Sequence, residues 1–324
     1  MNPGICSLLS IAAVVCVVAT NAAFAQDYPR KPIQAVVPFP SGGSDATFRV
    51  VSAKMSEDLG RPIVVINRPG ASGVIGSEYV ARAEPDGYTI LLTTSSTMIT
   101  RKLLSKATPF DPLKDFTPIA QVYESVLTLT VHPSVPAKSI EEFIAHAKRN
   151  PGKITFASIG VGSAYHLDGE ILKKTAGIDM IHVPYKGTGP VMTALLGGEV
   201  HVAFPSLSNI GDMHEAGRVR ILAFLDPTSF PGMSHIPSIN RAVPGFTKAT
   251  NWIGLFGPAG MPKSVVARLN ASVRTALDSP SVRKTLEGRG VLIRPSSPEE
   301  LAQRMRKDLA ETGKLIKDLG IPTE

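Results

Sequence analysis

Residues 33–45 read Ile33-Gln34-Ala35-Val36-Val37-Pro38-Phe39-Pro40-Ser41-Gly42-Gly43-Ser44-Asp45. Ile33–Val37 is a buried strand by composition, and the Ser-Gly-Gly-Ser-Asp loop opens a helix over 45–59. Val50, Val51 and Met55 fall at core spacing on that helix, and Gly60 stops it. A strand that feeds a glycine-rich loop and then a helix is the unit of a doubly wound α/β sheet. The unit recurs at Ile154–Ala157 into Ser158-Ile159-Gly160-Val161-Gly162-Ser163, and at Met180–Pro184 into Tyr185-Lys186-Gly187-Thr188-Gly189-Pro190.

These loops carry chemistry as well as a fold signal. The first amides of a helix have no partner within it, and the helix start carries about half a positive charge, so it holds an anion without a dedicated cation. Glycines let the backbone approach the anion, and serine and threonine hydroxyls add donors. Several such ends facing one cleft would receive a small carboxylate.

Between the first two units the alternation continues. Ile63–Ile66 is a strand, 74–83 a helix, Pro85-Asp86-Gly87 a turn and Tyr88–Thr93 a strand. A proline-broken loop over 109–118 precedes a long extended run, Ile119–Val131, which suits a crossing between domains. Ser139 caps a helix over 139–149, and Glu142 stands where a capping box needs it. Residues 226–244 are rich in Pro, Gly, Ser and Asn and read as an irregular connection. Trp252–Phe256 is a second extended run that could cross back. Amphipathic helices over 265–277 and 298–319 should close the first domain.

The ends and composition narrow the class. The first 25 residues hold no charged side chain, and an apolar run over 8–18 leads to Ala23-Phe24-Ala25, the form of a cleavable secretory signal. That run is shorter than the roughly 20 residues a membrane-spanning helix needs. Both cysteines, Cys6 and Cys16, lie inside those first 25 residues, so disulfides, thiol nucleophiles and cysteine metal sites are absent from the exported chain. The formal charge of +7 is spread in small clusters with few aromatics, unlike the dense stripe of a nucleic-acid binder, and a mildly positive field favours anionic solutes. No pair of histidines has metal-site spacing. Gly160-Val161-Gly162 and Gly187-Thr188-Gly189 lack the third glycine of a dinucleotide fingerprint, and no P-loop ending is present, so no cofactor is expected.

Taken in order, Pro38-Phe39-Pro40-Ser41-Gly42-Gly43, Asn67-Arg68-Pro69-Gly70-Ala71-Ser72-Gly73, Pro85-Asp86-Gly87-Tyr88-Thr89, Ser163-Ala164-Tyr165-His166-Leu167, Val183-Pro184-Tyr185-Lys186-Gly187 and Gly254-Leu255-Phe256-Gly257-Pro258 resemble the Bug family. Its members are periplasmic solute-binding proteins associated with tripartite tricarboxylate transporters, and the resemblance spans nearly the whole chain after the signal segment. It implies an α/β periplasmic-binding-protein fold, the type II-like Venus flytrap, with each lobe a doubly wound sheet and two extended crossovers. The corresponding division is 1–25 as signal peptide, 26–126 with 249–324 as lobe one, and 127–248 as lobe two. The resemblance also implies a monomer that captures a small organic carboxylate by hinge closure and presents it to membrane permease subunits, or to a membrane sensor.

Carried over by matching motif, the ligand contacts are Phe39, Ser41, Gly42, Gly43 and Ser44, then Thr94 and Ser95, in lobe one. In lobe two they are Ser158, Gly162, Ser163 and His166, with Tyr185, Lys186 and Gly187 as a further wall. Two departures stand out. Only Ser44 separates Gly43 from Asp45, where the family usually has two residues. Near Pro205 the aspartate that suits an amino group is missing, and Phe204 with Pro205 suggests an apolar wall, which favours an aromatic or aliphatic acid over an amino acid. Ser163 with His166 could be read as nucleophile and base, but no Gly-x-Ser-x-Gly and no third orienting group accompany them; a helix cap is the simpler role, and no enzymatic activity is expected. Asp45 is expected to stabilise its helix start.

Overall fold

A computed structural model describes residues 28–226, 230 and 233–323. The expected signal segment, 1–25, and both cysteines lie outside them. Eleven strands and ten α-helices among the described residues form two mixed sheets flanked by helices.

The first sheet has β1 (Ile33–Val37), β2 (Ile63–Asn67), β3 (Thr89–Thr94), β4 (Phe116–Ser125), β10 (Trp252–Pro258) and β11 (Val291–Ile293), in the order β11-β4-β10-β3-β1-β2. Its helices include α1 (Ser44–Leu59), α2 (Val74–Ala81), α8 (Lys263–Asp278) and α9 (Pro280–Gly288). After β3 a π turn, Ser96–Thr100, runs straight into α3 (Arg101–Leu104). The second sheet has β5 (Thr128–Val131), β6 (Ile154–Ser158), β7 (Met180–Pro184), β8 (Val202–Ala203) and β9 (Arg220–Phe224), in the order β7-β6-β8-β5-β9. Around it stand α4 (Ile140–Arg149), α5 (Ala164–Ala176), α6 (Thr188–Leu196) and α7 (Leu207–Glu215).

The alternating pattern predicts largely parallel sheets, but only four of the nine neighbouring pairs among the described residues are parallel, and the short edge strand β11 runs antiparallel to β4. The main reversals are β10, antiparallel to β3 and β4, and β5, antiparallel to β8 and β9. These are the two strands that begin just after the chain changes sheets. β4 and β9 end where the chain crosses between the sheets, so a strand starting just after a crossing runs the opposite way. The extended run over 119–131 is two strands, with Val126 and Leu127 as the crossing between them. The second expected crossing is displaced: β10 lies wholly in the first sheet, and the return is made by the irregular chain before it.

Apolar faces dictate how the layers meet. Phe48, Val51, Met55 and Leu59 of α1 pack with Leu269 and Val273 of α8 under β1, β3 and β4. On the opposite face, Trp252 and Phe256 pack with Leu301 and Met305 of the C-terminal helix α10 (Pro298–Asp318). The far end of α10 does something else. Ile316, and Ile321 beyond the helix, belong to the core of the second sheet, with Phe156, Leu172 and Phe246. The helix expected to close the first domain therefore spans both. Among the described residues no helix is long and apolar enough to cross a membrane.

Candidate functional site

The glycine-rich loops stand where the repeating unit puts them, at the carboxyl ends of parallel strands. In the first loop Asn67, the last residue of β2, acts as a knot. Its Nδ2 donates to Phe39 O (3.0 Å) and to Asp45 Oδ1 (3.1 Å), and its Oδ1 accepts from Arg49 (3.2 Å). Asp45 is buried and turned toward Arg49 Nε (3.1 and 3.2 Å), so its charge is neutralised within α1 and pins the helix start. Ser41, Gly42 and Gly43 remain exposed, and Phe39 and Ser44 are half-buried. The Phe39 ring and Thr97 both lie against Gly73, whose loop is tied by Thr97 Oγ1 donating to Ser72 O (2.9 Å). Thr94 joins this group, its hydroxyl 3.4 Å from that of Thr97. Ser95 does not: it is fully buried and donates to Thr250 O (2.9 Å).

In lobe two the loop after β6 is held from inside. Ser158 is fully buried, and its Oγ lies 2.7 Å from His182 Nε2 and accepts the Gly160 amide (3.1 Å). Ser163 caps α5 by accepting from His166 N (3.3 Å), and its hydroxyl donates to Gly160 O (2.7 Å). His166 Nδ1 accepts the Gly162 amide (3.1 Å). The imidazole and the Ser163 hydroxyl share no hydrogen bond, so the pair is wired as a cap and a loop brace rather than as base and nucleophile.

The His166 ring stacks on His182 (centroids 4.1 Å, 29° apart), and His182 stacks on Phe156 (4.9 Å, 27°). Burial pulls His166 down to about 4, helped by Lys173. His182 also falls to about 4, first through burial and then through the His166 ring beside it. Both are therefore neutral at pH 7. Sequence reasoning missed His182 and Asn67: each sits at or near a strand end, and only strand pairing reveals what it faces.

Tyr185 N donates to Ser158 O (2.9 Å), which ties the third loop to the second. Tyr185 is half-buried, Lys186 is exposed, and Gly187 takes φ +106° with open space beside it. Phe204 and Pro205 occupy a different environment from the one expected. Phe204 has no accessible surface and packs edge-on against Phe156 (6.0 Å, 81°), while the buried Pro205 gives its carbonyl to Thr128 N and Oγ1 (3.0 Å each). They are core and sheet edge, and present no wall.

The lobes touch at one of these loops. Gly162, at φ +78°, packs so closely on Leu104 and Thr100 that a Cβ would overlap the leucine side chain. Leu104 itself belongs to the core of lobe two. Among the described residues, the amides of Gly42, Gly43 and Ser44 in the first loop, and of Lys186, Gly187 and Thr188 in the third, make no hydrogen bond. They belong to the starts of α1 and α6, one on each lobe. Two surface cavities of about 420 and 410 Å³ lie apart from these loops, beside Tyr79 and beside Arg220. No group of three or more His, Cys, Asp or Glu that could hold a metal occurs among the described residues.

Residues 47–321 match the model of the tripartite tricarboxylate transporter family receptor. BugT of Bordetella pertussis is 32% identical over 301 residues, covering 91% of each chain. The solved structure of R. palustris Rpa4515 with adipate is 33% identical, covers 91% of this chain and 99% of its own, and superimposes with a TM-score of 0.86. MatC from Rhodopseudomonas palustris, with bound malate, is 31% identical over 89% of this chain and all of its own, at a TM-score of 0.80. A two-lobe α/β architecture, the ordered loop motifs and these full-length likenesses place the chain in the Bug-type family of tripartite tricarboxylate transporter receptors, which are periplasmic solute-binding proteins.

Proposed function

We propose that this protein, exported through its N-terminal signal, captures a small dicarboxylate between its lobes by hinge closure and hands it to the membrane permease subunits of a tripartite transporter. The carrying observation is the set of free amides at the starts of α1 and α6, which sit on opposite lobes. One carboxylate is taken by Gly42, Gly43 and Ser44 with the Ser41 and Thr94 hydroxyls, and the other by Lys186, Gly187 and Thr188. Helix starts favour an anion at each end, and a ligand with two carboxylates engages both lobes at once. The bound malate and adipate of two relatives support this class. Ligand that contacts both lobes shifts the population toward the closed form. Phe39 and Tyr185 flank the two loops, whereas Ser158, Ser163 and His166 hold the loop after β6 in shape and Ser95 ties the end of β3 to Thr250. The buried Phe204 removes the reason to favour an aromatic acid.

The test is thermal unfolding of the mature chain, refolded from denaturant, against aliphatic dicarboxylates, monocarboxylates, aromatic acids and amino acids. Ligand at about 100 times its dissociation constant adds about 2.7 kcal/mol. For domains of this size that raises the midpoint by about 5 to 10 °C. The reading predicts such a shift with a dicarboxylate and a smaller one with the matching monocarboxylate; equal response to both, or response to amino acids alone, overturns it.

A further inference from the structure

Charged groups from both lobes meet where the chain returns to the first sheet. Lys248 pairs with Asp226, just past β9, and lies 3.7 Å from Glu124 Oε2 on β4. Glu124 also receives Arg304 of α10 at 2.5 Å. Arg304 Nε is 3.6 Å from Asp308 Oδ2, which accepts Trp252 Nε1 (2.6 Å) and Thr250 Oγ1 (2.8 Å). Ala249, between Lys248 and Thr250, donates its amide to Asp168 Oδ1 at 2.7 Å.

Asp168 has no accessible surface, and its Oδ2 has no hydrogen-bond partner; Asp226 Oδ2 and Asn251 Oδ1 are likewise buried without one. A buried acceptor left unpaired is costly, and a buried charge more so. Asp168 is also placed where it matters: two residues before it on α5 is His166, the brace of the loop after β6. A single helix thus carries the binding loop at its start and the hinge amide just beyond. We propose that Asp168 is a positioning residue whose proton seats the hinge segment 248–252 on the binding helix, so that the hinge geometry depends on pH.

The groups facing Asp168 are Lys248 and Asp226 from the hinge and Tyr165 on its own helix, with Glu124, Arg304 and Asp308 behind Lys248. Burial pushes the carboxyl up to about 7; the Ala249 amide and Lys248 pull it down, and Asp226 pushes it up. A carboxyl raised in one arrangement binds its proton more firmly there than in water. The seated hinge is therefore favoured at low pH, weakens as pH rises through about 7, and levels off above that.

Trp252 is the sole tryptophan, fully buried, and bonded into this network. Its emission, followed from pH 5 to 9 without ligand, reads the hinge directly. The wild-type chain should show a transition with a midpoint near 7. Asp168→Asn keeps an acceptor for the Ala249 amide but cannot ionise, and should abolish the transition. Lys248→Met, which removes the neighbouring cation, should move the midpoint up by about one pH unit; it keeps the test decisive should the first variant fail to fold. A wild-type curve that is flat, a transition unchanged in Asp168→Asn, or a midpoint unmoved in Lys248→Met overturns the proposal. Because no ligand is added, the outcome is independent of what the cleft binds.

Discussion

His182 stands on β7 with its ring between Phe156 and His166, and holds Ser158 through Nε2. Two imidazoles 4.1 Å apart in a largely dry setting resist protonation, because a first charge is poorly solvated and a second is repelled. Each has a folded value of about 4 against an ordinary 6.5, so the unfolded chain binds more protons between those limits. Stability from this stack is complete above pH 6.5 and is lost as pH falls toward 4. Discounting for coupling and for the part-exposed His182, the loss is about 2 kcal/mol for the pair. Urea unfolding at pH 7 and 4.5 should show it in the wild-type chain, and His182→Phe should reduce the difference. An unchanged difference in that variant contradicts the reading. At this scale the sequence was legible where chemistry is local: Ser163 is a cap, and Asp45 steadies its helix start. It was silent on His182 and Asn67, whose partners come from other elements. For Phe204 and Pro205 it misled, since a Phe-Pro pair at a strand end has the same pattern whether it faces core or cleft.

Helix starts announce themselves through side chains that reach their own backbone, so elements were legible from their caps. Ser139 accepts from Glu142 N (3.2 Å) as a capping box requires, yet Glu142 Oε2 reaches past the cap to Lys138 N (2.7 Å). The reciprocal box is at α10, where Ser297 accepts from Glu300 N (3.1 Å) and Glu300 Oε2 accepts from Ser297 N (2.7 Å). Ser297→Ala should therefore lower global stability by about 1 kcal/mol, measured by chemical denaturation; a loss below about 0.3 kcal/mol would mean that α10 is held by Leu301 and Met305 without its cap. The short elements α9 and β11 had no signal of that kind. Residues 291–293 become a strand only because β4 offers them an edge, at Ser125, Glu124 and Tyr123.

For the whole molecule, alternation of strand and helix sufficed for α/β layers, and the glycine-rich loops do stand at the strand ends where the pattern put them. Neither could reveal that α10 enters both cores, or that Lys248 joins Asp226 to Glu124 across the return crossing. Such contacts join different elements, Lys248 and Glu124 being 248 − 124 = 124 positions apart, and periodicity cannot see them. They tie the return crossing to both lobes by charged pairs, while Gly162 against Leu104 gives the lobes a place to touch. The proposed site is mostly backbone, so side-chain motifs point to it without naming its ligand.

The most direct test is calorimetric titration of a series of aliphatic dicarboxylates, malate and adipate included, into the refolded mature chain and into Gly187→Ala. Gly187 has φ +106° with nothing near its Cβ position, so alanine strains the loop without a clash and displaces the amides of 186–188. The account predicts one ligand per chain for at least one dicarboxylate, and affinity at least tenfold weaker in the variant, about 1.4 kcal/mol. Undiminished binding in Gly187→Ala, or a folded wild-type chain that takes up no dicarboxylate, would contradict it.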